Sequence, residues 1–157
     1  MKPLMTTTEL ARRLAEEGCN ASNYSINTRS YDGYCLLRDR LQWAVFYSER
    51  GQDHPPIFTS ADESAACAFF LGFVLNMRHD HCVGELRSAQ AAQALQARLA
   101  LAGVKTHIDR MLYARNDYRH RVFVTGKDVF EARRMLGKLP LTDAEDPKPG
   151  FWRWLFG

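Results

Sequence analysis

The segment ADESAACAFFLGFVLNM, residues 61 to 77, constrains the fold more than any other part of the chain. Ala66, Phe69, Phe70, Phe73, Val74 and Met77 recur at helical spacing, and Ser60 with Glu63 three residues on forms a capping box before them. A helix this apolar needs a second apolar layer, so the chain around it must supply a sheet. Pieces of that sheet are legible upstream. NYSIN around Tyr24 and Ile26, YCLLR from Tyr34 to Arg38, and the run from Leu41 to Ser48 are rich in residues that favour strands. Asp39 and Arg40 separate the last two at hairpin spacing, Asp32 and Gly33 supply a turn before them, and Pro55 and Pro56 precede a short strand at Ile57, Phe58 and Thr59. The expectation is an antiparallel β-meander covered by helices.

Further helices flank this unit. Thr6 and Glu9 form a capping box for a helix with Leu10 and Leu14 on one face and Gly18 as its stop. Ser88 opens AQAAQALQARLALAG, with Leu95, Leu99 and Ala102 on one face and Gly103 at its end. VKTHIDRM from Val104 alternates as a strand, RVFVTG makes a second strand, and KDVFEARRMLGKL from Lys127 has helical spacing. The chain is therefore expected to be α+β. Residues 1–86 form the meander lobe, residues 87–139 a basic helix-strand-strand-helix lobe, and residues 140–157 a tail. The tail pairs the turn-rich LTDAEDPKPG with FWRWLFG, whose Trp152 and Trp154 are expected to dock on the body of the protein.

A hydrophobic fraction of 46% fits an ordinary packed core. No window approaches the roughly 18 apolar residues of a membrane span, and MKPLMTTTEL lacks a secretory layout, so a cytoplasmic protein without membrane partners is expected. The four cysteines, Cys19, Cys35, Cys67 and Cys82, show no paired spacing and read as reduced thiols, with Cys35 and Cys67 in the core.

Catalytic grammar is sparse. In RHDHCVGE, residues 78–85, His79, Asp80, His81 and Cys82 are adjacent, and adjacent side chains point in different directions. The stretch is expected to be a polar loop joining the two halves, with no metal. Ser48 lacks a nucleophile-elbow context, Cys67 lies among apolar neighbours, and nothing ties His54, His107 or His120 to a nucleophile. No catalytic residues and no cofactor are expected. Charge, in contrast, is unevenly spread. Residues 1–86 hold 8 Lys or Arg against 11 Asp or Glu, and residues 87–138 hold 11 against 4. Within the basic half, RMLYARNDYRHR mixes Arg110, Arg115, Arg119 and Arg121 with Tyr113 and Tyr118, a composition able to follow a phosphate backbone and stack bases. The alternative is a solvated basic face, and no RNA-module signature accompanies the arginines.

Two resemblances follow from these residues. NYSIN, Tyr34 with Cys35, W-x-VFYSERG from Trp43 to Gly51 and F-x-S-x-DE from Phe58 to Glu63 resemble the small immunity proteins of polymorphic and contact-dependent-inhibition toxin systems of bacteria. That resemblance covers about the first half. It implies a non-catalytic module that binds the C-terminal domain of a cognate toxin, a nuclease in many such systems, at or beside its active site. On this reading Tyr47, Glu49, Arg50 and Asp53 would offer an aromatic anchor and charges of both signs to the toxin. LRSAQAAQALQARLALAGVKTHIDR with YRHRVFVTGKDVFEARRML resembles sporulation-related repeats and small ferredoxin-like modules in its order of elements. The expected function is toxin neutralisation by direct binding, with nucleic-acid-binding regulation through the four arginines as the competing reading.

Overall fold

A computed structural model describes residues 4–143, and the C-terminal aromatic segment lies outside the described residues. The chain is α+β, with two sheets that each bury one face under a pair of helices. The first sheet is assembled from β1 (Tyr24–Ile26), β2 (Asp32–Asp39), β3 (Gln42–Glu49), β4 (Gln52–Asp53) and β5 (Phe58–Ser60). β2 and β3 pair antiparallel along their whole length, and β4 and β5 share the far edge of β3. β3 is thus central. Its Trp43 and Val45, with Leu36 of β2, pack under α1 (Thr7–Glu16) and α2 (Glu63–Leu75), where Leu10, Leu14, Ala66, Cys67, Phe70 and Val74 close the core.

The apolar helix starts as its composition requires but with a different cap. Asp62 accepts from the Ser64 and Ala65 amides, while Ser60 accepts from the Asp62 amide, so the cap lies two residues later than the capping box predicts. Glu63 is then free to reach α1, where its carboxylate accepts from the Thr7 amide at 3.1 Å. Thr6 caps α1 as expected, accepting from the Glu9 amide. The two helix starts are therefore stitched together. Burial and nearby carboxylates push the Cys67 thiol up to about 11, which suits a core residue and not a nucleophile.

One strand departs from the expected antiparallel order. β1 runs parallel to β2, with Tyr24 beside Tyr34 and Ile26 beside Leu36. Parallel neighbours ordinarily need a long crossover. Here β1 is only three residues long and Asn27 sits at φ 65, so a few residues return the chain to the start of β2.

The second sheet corrects the lobe boundary. Residues 80–86 are a strand, β6 (Asp80–Leu86), antiparallel to β8 (Asp117–Thr125), and not part of a loop. A division after residue 86 would cut through this sheet. Its order is β7-β8-β6-β9, with β7 at His107–Ala114 and β9 at Leu141–Thr142, so the expected helix-strand-strand-helix unit gains a strand at each end. The element order is that of a split β-α-β unit, although β9 runs parallel to β6. α3 (Ala89–Leu101) and α4 (Asp128–Leu136) cover one face over Val83, Leu86, Val122 and Val124. Gly84 makes that packing possible, since a Cβ there would lie 2.4 Å from the Leu95 Cδ2.

Assigning β6 to the second sheet also reduces the charge asymmetry. Residues 4–79 carry 7 Lys or Arg against 9 Asp or Glu, and residues 80–143 carry 11 against 7. Among the described residues no helix is long and apolar enough to cross a membrane.

Candidate functional site

Glycine at position 51 decides the local structure of YSERGQD. Arg50 and Gly51 have φ of 49° and 81°, and Glu49 pairs with Gln52, which is the geometry of a type I′ two-residue hairpin. The polar end of β3 is therefore a tight turn and not merely a strand end. The Arg50 amide donates to the Tyr31 carbonyl at 2.8 Å, fixing the tip to the loop before β2.

Strand pleating separates the four residues expected to meet a partner. Tyr47 and Glu49 share the helix-facing side with His54, whereas Asp53 lies across from Ser48 on the opposite side. Tyr47 stands edge-on between Tyr34 (5.0 Å) and His54 (5.3 Å), and Glu49 lies 3.7 Å from the His54 Nε2. Burial, with the carboxylates of Asp32 and Glu49 nearby, raises the Tyr47 hydroxyl above its ordinary range, so it stays protonated. Asp53 accepts from the fully buried Ser48 hydroxyl at 3.1 Å and from the Arg29 Nε at 3.1 Å. Ser48 is thus a bolt for the hairpin, donating its hydroxyl to the Asp53 carboxylate. Asp53 is tied to Ser48 and Arg29 while remaining part-exposed, and Glu49 and Arg50 are exposed at the tip.

Two residues join this surface that motif reasoning did not select. Tyr31 is 72% exposed and is tied through its backbone to Arg50. Arg29 lies 5.9 Å above the Phe46 ring and forms one wall of a hollow of about 340 Å³ floored by Leu37, Ala44 and Phe46. The turn dipeptide at 50 and 51 was the available signal for the tip. Arg29 carried none, because its carboxylate partner is 24 residues away.

The basic stretch is a second hairpin, β7 to β8, closed at Arg115 and Asn116 with a bulge near Tyr113. Its four arginines do not form one surface. Arg110 lies opposite His120 on the side of Leu112 and Tyr118, while Arg119 and Arg121 project to the other side. Each of these three is already engaged. Arg110 stacks on Tyr118 at 4.2 Å and Arg119 on Tyr113 at 4.1 Å, and Arg119 also pairs with Asp117. Arg121 makes a two-pronged pair with Asp109 and lies 5.0 Å from the Phe123 ring centre. Phe123 is also stacked with His107, at 5.0 Å and 11°. The Phe123 ring is therefore already in contact with both a guanidinium and an imidazole.

The histidine cluster is also dispersed. His79 is buried, His81 donates toward the Gly18 carbonyl, and Asp80 binds Arg78 and Thr125. Desolvation opposes ionisation of Asp80, but the hydrogen bonds from Arg78 and Thr125 outweigh it and hold the carboxyl below its ordinary range. Among the described residues no group of three metal-binding side chains converges. Comparison of the chain with family models, curated proteins and solved structures finds no match.

Proposed function

We propose that this protein is an immunity protein that neutralises a cognate toxin domain by direct binding, with the β3–β4 hairpin tip as a contact surface. The observation that carries the reading is a rigid tip presenting Glu49 and Arg50 beside exposed Tyr31, held by the type I′ turn and bolted at its base through Ser48, Asp53 and Arg29. Preorganised charged and aromatic groups bind with little loss of side-chain freedom, which favours specific recognition of a protein surface. Asp53 and Tyr47 support this tip from below, and Glu49 and Arg50 make the contacts.

The test is co-expression with toxin domains encoded beside this chain. Growth should be protected, and Glu49→Arg and Arg50→Glu should each weaken the purified complex by about tenfold or more while leaving thermal stability unchanged. Unchanged affinity in both variants would remove the hairpin from the interface, and absence of both protection and binding would sink the immunity reading. The competing reading, nucleic-acid binding by the second hairpin, draws less from the geometry because three of its four arginines already contact rings or carboxylates. It predicts affinity that falls steeply with salt and on Arg115→Glu.

A further inference from the structure

We propose that the aromatic end of the chain, FWRWLFG at residues 151–157, docks in the apolar hollow between α3 and β9 and closes the second core from that side. The sheet leaves the side open. β9 stands at its end and is only two residues long, with Leu141 and Thr142 paired to Gly84 and Glu85 of β6. The hollow between this strand and α3 measures about 460 Å³ and is lined by Leu86, Leu95, Leu141 and two alanines, Ala91 and Ala94. Its two charged residues already have partners: Arg98 donates to the Met135 carbonyl at 3.2 Å, and the Asp143 carboxylate accepts from the Arg87 amide at 2.6 Å. What fits the hollow is therefore apolar.

The chain supplies such a group at the right place. The described residues end at Asp143, on the lining of the hollow, and residues 144–157 follow from there. At the other terminus only Met1, Lys2 and Pro3 lie outside the described residues. Phe151, Trp152, Trp154, Leu155 and Phe156 form the apolar cluster of the C-terminal stretch, and aromatic rings of this size bury roughly 150–250 Å² each when they find a surface. The spacer, residues 144–150, contains Pro147, Pro149 and Gly150, a composition that reverses a chain. Extended, it reaches up to roughly 25 Å. The side of α3 from Ala91 to Arg98 is about 10 Å long, so Phe151 can lie anywhere along it without stretching the spacer. Two other hollows suit the rings less. One of about 170 Å³ shares Thr142 and Asp143 with the first but is otherwise lined by Glu85, Arg87, Tyr113 and Arg119. The other, beside Phe46 on the first lobe, is walled by Arg29, Arg38, Asp39 and Asp53. Rings placed in either would cover charged groups.

The experiment uses the full chain and reads NMR cross-relaxation between the Trp152 and Trp154 indoles and the methyls of Ala91, Ala94, Leu95 and Leu141. Contacts within about 4.5 Å are expected, independent of protein concentration and within one copy when labelled and unlabelled chains are mixed. Ala94→Arg, at an exposed helix position that tolerates a long side chain, should fill the hollow, abolish these contacts and increase acrylamide quenching of tryptophan emission. The Trp152→Ala, Trp154→Ala chain keeps only Trp43, which is 9% exposed, and its quenching should be low with or without Ala94→Arg. The same double substitution should shift the Leu95 and Leu141 methyl resonances through loss of ring currents. Indole contacts to Tyr113 or Phe46 instead, contacts only between copies, methyl resonances that ignore both sets of substitutions, or contacts that form only when a toxin domain is added would each overturn the proposal. It stands whether or not the chain binds a toxin.

Discussion

The two lobes place their aromatic rings on opposite sides of similar architectures. In the first lobe partly buried rings form a chain along the margin of the core: Phe58 on Phe69 at 4.3 Å, Phe69 on Phe73, then Phe73, Tyr34, Tyr47 and His54 in succession. That chain runs from β5 across α2 to the hairpin. In the second lobe the core is aliphatic, and His107, Phe123 and Tyr113 stand on the sheet face without helices, where arginines cover them. The difference teaches that aromatic content does not mark a ligand face by itself. In one lobe the rings connect an exposed tip to buried packing, and in the other they keep arginines in place.

The largest effects should come from the two cores. Phe70→Ala, at a fully buried ring, is expected to cost about 3 to 5 kcal/mol, and Leu99→Ala about 2 to 5 kcal/mol. Both should lower a single thermal transition if the joint couples the lobes. Two transitions, with each substitution shifting only one, would separate the lobes energetically and break the comparison at its premise.

Gly18→Ala probes the joint itself. Gly18 has φ 73, and a Cβ there would lie 2.5 Å from the Gly126 carbonyl carbon, so a cost of about 2 to 3 kcal/mol is expected. Gly103→Ala has a similar φ but meets open space, so it should cost only about 1 kcal/mol. Equal losses in chemical denaturation would show that the close approach at Gly18 contributes nothing beyond its backbone conformation.

Tyr47→Leu keeps a bulky apolar group while removing two edge-on ring contacts, and about 0.5 to 1.5 kcal/mol should be lost. Hydrogen exchange at the β3–β4 tip should rise with it, whereas an unchanged tip would uncouple the aromatic chain from the hairpin. The smallest effect belongs to the outer face of the second sheet. The hydrogen bond from Arg121 holds Asp109 below the ordinary aspartate value of 3.8, so its contribution is present above that value and lost as pH falls below it. Both side chains are part-exposed, which limits the gain to less than about 1 kcal/mol. Asp109→Asn should flatten this acid-side slope in stability measured from pH 5 down to 2, and an unchanged slope would assign it to other carboxylates.

Local signals carried much of this fold. Thr6 and Ser88 cap two helices where they were expected to, whereas α2 is capped by Asp62 and not by the expected Ser60, and Gly18, Gly103 and Gly137 lie at or just beyond three ends with positive φ. The misreading of β6 has a physical origin. Val83 and Leu86 are its buried apolar residues, and Gly84 is required by a leucine from a helix not yet reached in the chain. The direction of β1 was equally hidden, because short strands take their partner from tertiary packing. At the candidate site, alternation along β3 already separates Tyr47 from Ser48, but the pairing of Ser48 with Asp53 needed the turn at Arg50 and Gly51 to be recognised first. Charge runs were the least reliable guide. Arg121 looks available in a string and is neutralised by Asp109 across the hairpin, and Arg119 is paired with Asp117 on its own strand.

The central place of β6 sets an order of events during synthesis. The first sheet and its two helices are complete within residues 7–75, and this unit can close as soon as α2 emerges from the ribosome. β6 follows at once, but its antiparallel partner β8 ends only at Thr125, and the carbonyl of His79 waits for Gly126. For some forty residues of elongation, then, a nascent strand with Val83 and Leu86 on it has no neighbour. The interval in which this protein is most exposed to wrong pairing falls between the emergence of β6 and that of β8, when the first sheet and its helices are already synthesised.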